Sequence, residues 1–214
     1  MKRAFELSWH TPSTWAPAAL EDPLTLLSDH AHCEMGATVS AQGLIARYPT
    51  ETKLVERMGA LAVEELRHFN QVHRLIVQLG GTLQPIRTNE YAEALVRETR
   101  KRNGGLVDRL LVSAVIERRS LERFELLAEA ARTSHPLLAA LYGELAPSEA
   151  GHASLFVELA EGVHGKRNVE QRLAMWLEEE ARILRGLPCG PRIHSGPPAL
   201  EARRLSVSAS GATE

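Results

Sequence analysis

Sulfur is scarce in this chain: Cys33 and Cys189 are the only cysteines in 214 residues. Two isolated thiols make no disulfide framework, so both are expected to be reduced, and they provide no paired-cysteine iron site. Long apolar runs are missing as well. No stretch approaches the ~18 consecutive apolar residues of a membrane span. Met1 to Trp15 has no apolar core of the signal-peptide type, so a cytoplasmic location and no membrane partner are expected. Neither sign of charge is in excess. With 25 Lys and Arg against 27 Asp and Glu, the formal charge is −2 and the pI is near 6.5, which excludes a uniformly basic surface but leaves room for a local patch. Apolar residues are plentiful, at 44%, enough for one core that removes about 70% of the unfolded surface from water.

Glutamate and histidine carry the information. Glu65-Leu66-Arg67-His68 and Glu149-Ala150-Gly151-His152 share the pattern Glu-x-x-His, and solitary glutamates, Glu34 and Glu117, precede them by 31 and 32 residues. Positions i and i+3 lie on one helix face, so each pair aims a carboxylate and an imidazole at a common point. Four helices offering Glu, Glu-x-x-His, Glu and Glu-x-x-His form the ligand set of ferritin-like di-iron or di-manganese bundles. The motif alone is weak evidence, because 24 Glu and 9 His give about one such pair by chance, and the chain has three. The third, Glu161-Gly162-Val163-His164, lies twelve residues beyond Glu149. It is turned roughly 120° away from that pair, beside glycines that suit a helix end, and is set aside as a decoy.

Height along the helices separates the true pairs from coincidence. Tyr48-Pro49-Thr50 reads as a tight turn between helices, since the residue before a proline is pushed out of helical geometry and proline suits a helix start. Glu34 lies 15 residues before Pro49 and Glu65 lies 16 after it, so an antiparallel hairpin puts both carboxylates at one level. The pattern repeats about Thr133-Ser134-His135-Pro136, with Glu117 16 residues before Thr133 and Glu149 15 after Ser134. The candidate ligands also interrupt apolar stripes. Glu117 falls within Leu106, Leu110, Ala114, Leu121, Phe124 and Leu127, the 3.6-residue spacing of a buried face. Buried carboxylates are costly unless paired or metal-bound. The set Glu34, Glu65, His68, Glu117, Glu149 and His152 is therefore expected to bind two metal ions.

The fold expected is all-α: a ferritin-like four-helix bundle with a long crossover and additional helices. Residues 1–22 are expected to be an irregular lead-in, with Trp9 and Trp15 packed on the bundle, residues 23–186 the bundle, and residues 187–214 a flexible tail. Long helices are placed at about 24–47, 51–79, 105–132 and 136–161, shorter ones at 89–102 and 168–185. The tail expectation rests on Pro, Gly and Ser content and lost periodicity after Pro188. The halves repeat weakly, with Glu34 and Glu117 at an offset of 83 and the paired motifs at 84. Either a hairpin duplication or the symmetry of a two-metal site accounts for that.

Longer stretches around the ligands carry a family likeness. They are Asp29-His30-Ala31-His32-Cys33-Glu34, Glu64-Glu65-Leu66-Arg67-His68-Phe69, Asp108-Arg109-Leu110-Leu111, Ile116-Glu117, Glu122-Arg123-Phe124 and Ser148-Glu149 with His152. Over roughly residues 20–185 the chain resembles the tRNA 2-methylthio-N6-isopentenyladenosine hydroxylases. One departure is that Gly151 and Ala153 flank His152 where Arg and Phe are expected. The resemblance implies a non-haem di-iron monooxygenase that uses O2 to hydroxylate the isopentenyl group of a modified adenosine in tRNA. The same six residues would be its iron ligands, with no catalytic residue beyond them. Electrons would come from a reductase or ferredoxin. A ferritin-like iron oxidation and storage protein, or a small-molecule di-iron oxidase, are the alternatives.

Several other residues around this core are candidates for supporting roles. Glu64, beside a ligand, is a candidate to orient a ligand histidine, with a solvated salt bridge as its rival reading. His30, one turn before Glu34, is either a partner of the metal ligands or a core histidine bonded to a backbone carbonyl. His32 and Cys33 point away from the Glu34 face and are assigned no role. Arg97, Arg100, Lys101 and Arg102 form a local basic run that could hold tRNA phosphates. An ordinary helix end with favourable dipole placement is the competing reading.

Overall fold

The computed structural model describes residues 5–86 and 88–199. All regular structure among them is helical: α1 Trp15–Ala19, α2 Pro23–Arg47, α3 Thr52–Gln78, α4 Glu90–Lys101, α5 Leu106–Ala131, α6 Pro136–His164 and α7 Lys166–Arg185. The chain divides into two compact units, one of Asp22–Thr88 and one formed by the segments on either side of it.

The Asp22–Thr88 unit is a helical hairpin. Asp22 caps α2, accepting from the Thr25 amide at 3.1 Å and the Thr25 hydroxyl at 2.7 Å, and Pro23 occupies the first turn, where its missing amide costs nothing. Tyr48, ahead of Pro49, closes α2, and the short turn sends α3 back antiparallel along it. Leu26, Leu27, Ala31, Leu44, Leu54, Met58, Leu61, Val72 and Ile76 are buried. At the far end Gly80 takes a φ of +77°, and the Gly81 and Gly80 amides bond to the Ile76 and Val77 carbonyls at 2.9 and 3.0 Å. This is a Schellman stop, which glycine enters without strain. The chain beyond lies along α2, held by the Gln84 amide on Ser28 Oγ at 3.2 Å and by His32 Nε2 against the Gln84 carbonyl at 2.8 Å.

The second unit is built on the α5–α6 hairpin, joined by the turn before Pro136. Helix α5 is buried almost all round, including Arg118, Arg119 and Arg123, which are at most 1% exposed. Arg119 bonds Glu180 Oε1 and Oε2, each at 2.8 Å, and pairs with Glu122. Glu122 also receives the Thr11 hydroxyl at 2.6 Å and lies 2.8 Å from His10 Nδ1, while Tyr91 donates to Glu180 at 3.0 Å. One guanidinium thus fastens α7, the N-terminal segment and, through Glu180, α4 to α5. A second clasp has Arg172 and Trp176 on Asp108, with N···O distances of 2.5, 2.7 and 2.9 Å.

Both ends of the chain differ from expectation. The lead-in contains α1, and Trp15 is fully buried with the Arg123 guanidinium 3.8 Å from its ring. The stretch after Pro188, expected to be loose, is packed at its centre: Ile193, His194 and Ser195 are buried. His194 stacks on Tyr91 with ring centroids 4.5 Å apart, and Ser195 Oγ accepts from Trp15 Nε1 at 2.8 Å. A Cβ on Gly196 would stand 1.8 Å from the Leu187 carbonyl oxygen, so its glycine serves a close backbone approach. Turn-forming composition was mistaken for disorder; residues 200–214 of the expected tail lie outside the described residues.

Candidate metal centre

In the Asp22–Thr88 unit, Glu34 comes from α2 and Glu65 and His68 from α3. All three are at most 5% exposed, and each offers a ligand atom within 4.8 Å of the others. His68 Nδ1 lies 3.5 Å from Glu34 Oε2 and 3.5 Å from Glu65 Oε2. His30, one turn before Glu34 and fully buried, places Nε2 2.6 Å from Glu34 Oε1. Burial by itself would raise the Glu34 carboxyl, but hydrogen bonds from His30 and His68 outweigh it and hold the group well below the usual range. Burial likewise opposes charging His68, yet Glu34 and Glu65 raise its pKa to about 10. Two buried carboxylates thus favour positive charge at one point, which a bound cation would equally satisfy.

In the other unit α5 supplies Glu117 and α6 supplies Glu149 and His152, all buried. His152 Nδ1 lies 3.9 Å from Glu117 Oε2. Glutamate, glutamate and histidine therefore recur on the second hairpin. Each triad offers hard oxygen donors and one nitrogen in a dry setting, which suits a redox-active divalent or trivalent metal.

With this geometry in view, likeness to known proteins becomes informative. The family model for tRNA-(MS[2]IO[6]A)-hydroxylase (MiaE) matches residues 2–195. The chain belongs to this family. The tRNA 2-(methylsulfanyl)-N(6)-isopentenyladenosine(37) hydroxylase of Pseudomonas putida is 38% identical over 194 residues, which are 90% of this chain and 93% of that protein. The hydroxylase of the same name from Salmonella typhimurium is 32% identical over 152 residues, 71% of this chain and 55% of the relative. Among solved structures, Protein 43 with aldehyde deformylating oxygenase activity from Synechococcus is similar at TM-score 0.82 and 36% identity, covering 92% of this chain and 98% of that one. The fold is accordingly all-α and ferritin-like.

The remaining candidates in this MiaE family member separate clearly. His30 Nε2 meets a carboxylate oxygen of Glu34, a position from which it can orient that candidate ligand. Glu64 is half-buried and lines a cleft that His68 also lines. Glu161 and His164 sit in the last turn of α6, His164 exposed, just before Gly165 at φ +79°. Arg97, Arg100, Lys101 and Arg102 are all exposed on or just after α4. Lys101 is paired with Glu98 at 2.6 Å, and Arg102 reaches Glu179 at 3.7 Å and lies 5.8 Å from the Trp176 ring centre. Arg118 and Arg119, further basic residues in the sequence, are interior and structural. Their role and that of Glu180 were not evident beforehand, because spacing shows which residues share a face but not which acid a distant arginine meets. No helix among the described residues is long and apolar enough to cross a membrane.

Proposed function

We propose that the chain is an O2-dependent di-iron monooxygenase that hydroxylates the isopentenyl group of 2-methylthio-N6-isopentenyladenosine in tRNA, working in the cytoplasm. The observation that carries this reading is a buried Glu plus Glu-x-x-His triad on each of two hairpins, in a chain matched to tRNA hydroxylases over residues 2–195. Glu34, Glu65, His68, Glu117, Glu149 and His152 would hold two iron ions. When bound, the iron pair supplies O2 activation; the protein supplies the site. One imidazole per metal leaves coordination positions open. The buried surroundings exclude water, and the His30 contact holds Glu34 in one orientation.

Hydroxylation inserts one oxygen atom of O2 into a C–H bond and reduces the other to water, consuming two electrons and two protons. Those electrons come from outside the chain, from a reductase or a ferredoxin. The prenyl group must leave the base stack to reach a buried centre, so an unpaired loop nucleotide is the suitable substrate. Arg97 and Arg100, exposed on α4, are suited to hold phosphates, with Lys101 and Arg102 contributing once their present acidic partners let go.

The decisive experiment is nucleoside mass analysis of tRNA from cells with and without the gene, alongside iron-loaded protein given reductant, O2 and prenylated tRNA. A gain of one oxygen atom on the prenylated nucleoside is expected. The similarity to a protein with aldehyde deformylating oxygenase activity favours a small-molecule oxygenase as second reading. Turnover of an aldehyde with none of prenylated tRNA would install it. Iron storage would require a large closed shell, visible on a sizing column.

A further inference from the structure

Beside His68, the exposed face of α3 carries a cleft of about 570 Å³ lined by Glu64, Arg67, His68, Asn70, His73 and Arg74 among others. Arg67 and Arg74 are seven residues apart, so they stand on one face two turns apart, about 10 Å along the axis. Both are exposed, and neither forms an ion pair among the described residues. His73, also in the lining, is half-buried and has its ring held parallel to that of Phe69, centroids 6.0 Å apart and planes at 9°. Two exposed guanidiniums, the His73 ring and a candidate iron ligand therefore line one cleft, a combination of cationic groups, a flat ring and a buried carboxylate-bound imidazole.

We propose that this face of α3 is where the single-stranded tRNA segment lies, with Arg67 and Arg74 on phosphates flanking the nucleotide whose side chain enters beside His68. The inference rests on the tRNA hydroxylase reading and gives that site its substrate-facing surface. Charge separates it from the α4 run, where two of four cations already have acidic partners. Stacking of a base on the His73 ring is tolerant of sequence and fits an unpaired loop.

The test uses the full chain loaded with iron and tRNA bearing the prenylated adenosine. Binding of the unaltered protein and of the double variant Arg67→Glu/Arg74→Glu is followed between about 50 and 200 mM salt. Losing two phosphate contacts should weaken binding about tenfold or more at the lower salt and cut the slope of log affinity against log salt by about 2. KM for tRNA should rise with much less change in kcat, and two irons per chain should remain. Arg67→Lys/Arg74→Lys should restore most of the slope, which a merely structural role for the arginines would not require. Equal affinity and slope in the reversed and unaltered proteins would overturn the surface while leaving the hydroxylase reading intact. An unaltered protein that neither binds nor hydroxylates this tRNA would overturn both.

Discussion

The two hairpins carry the same three ligand types but handle buried charge differently. In the Asp22–Thr88 unit the buried ionisable side chains among the described residues are His30, Glu34, Glu65 and His68, and all of them belong to the candidate centre. In the other unit Glu117, Glu149 and His152 share the interior with Asp108, Arg118, Arg119, Glu122, Arg123, Glu180 and His194. Burial alone therefore does not mark a metal ligand. The partner does. Glu180, Glu122 and Asp108 meet guanidinium groups, which settle their charge within the protein. Glu34 meets imidazoles, whose proton a metal can replace. The two triads are also unequal: His30 bonds Glu34 from one turn back, and the equivalent position before Glu117 is Ser113.

The largest expected effect comes from removing a carboxylate of the candidate centre. Glu65→Ala or Glu149→Ala should lose at least one of two metals per chain, and hydroxylation should fall to the detection limit. Glu161→Ala and His164→Ala should retain both metals. Elemental analysis of protein purified from iron-fed cells reads all four variants. Full metal occupancy in both ligand variants would break the division between ligand and structural carboxylates.

Next come the structural acids. Glu180→Ala leaves Arg119 buried beside Glu122 alone, and breaking such a pair typically costs about 3–5 kcal/mol. The denaturant midpoint should fall accordingly, while folded protein, assayed below the new melting temperature, keeps two metals. If instead stability were unchanged and metal were lost, Glu180 would belong with the ligands.

His30 sharpens the inequality between the triads. His30→Ala removes the hydrogen bond that orients Glu34, and loss of such an outer partner costs roughly 10–100-fold in metal affinity or activity. One of the two irons should weaken, giving a biphasic chelator titration. Ser113→Ala should leave the titration as it is in the unaltered protein. A uniform weakening of both irons by His30→Ala would show that the inequality is not felt at the metals.

Helix positions and the burial of the candidate triads were legible in the sequence because they obey local spacing. The 3.6-residue stripe, the prolines at helix starts and the glycine pair after Leu79 each act within a turn or two of chain. Glu34, Glu65 and His68 could be set level by counting from Pro49. What escaped was set by distant meetings: Arg119 with Glu180 is a contact across 61 residues, and Trp15 with Ser195 one across 180. The stretch around Ile193 was misjudged for the same reason. Its glycines, prolines and serines fit a chain that turns tightly against Tyr91 and Trp15, and composition cannot distinguish that from looseness. Helical phase places His30 near Glu34 without saying which oxygen its ring nitrogen meets, so sequence alone keeps both readings of it open.

The smallest predicted effect concerns Asp108, where the comparison between charge types becomes a pH dependence. Burial would raise this carboxyl, but Arg172 and Trp176 outweigh it, so its folded pKa lies below the ordinary value near 3.9. A depressed carboxyl contributes stability that is fully present above the unfolded pKa and is lost as pH falls through the folded one. Arg172 is 41% exposed, so solvent screens the pair and its net worth is modest, about 1 kcal/mol. Asp108→Asn should therefore lower stability by about that amount at pH 7, and the gap from the unaltered protein should narrow below pH ~4 as Asp108 takes up its proton. Urea unfolding at neutral and acidic pH measures both numbers. A gap that stayed constant with pH would assign the loss to the Trp176 hydrogen bond and packing, not to charge.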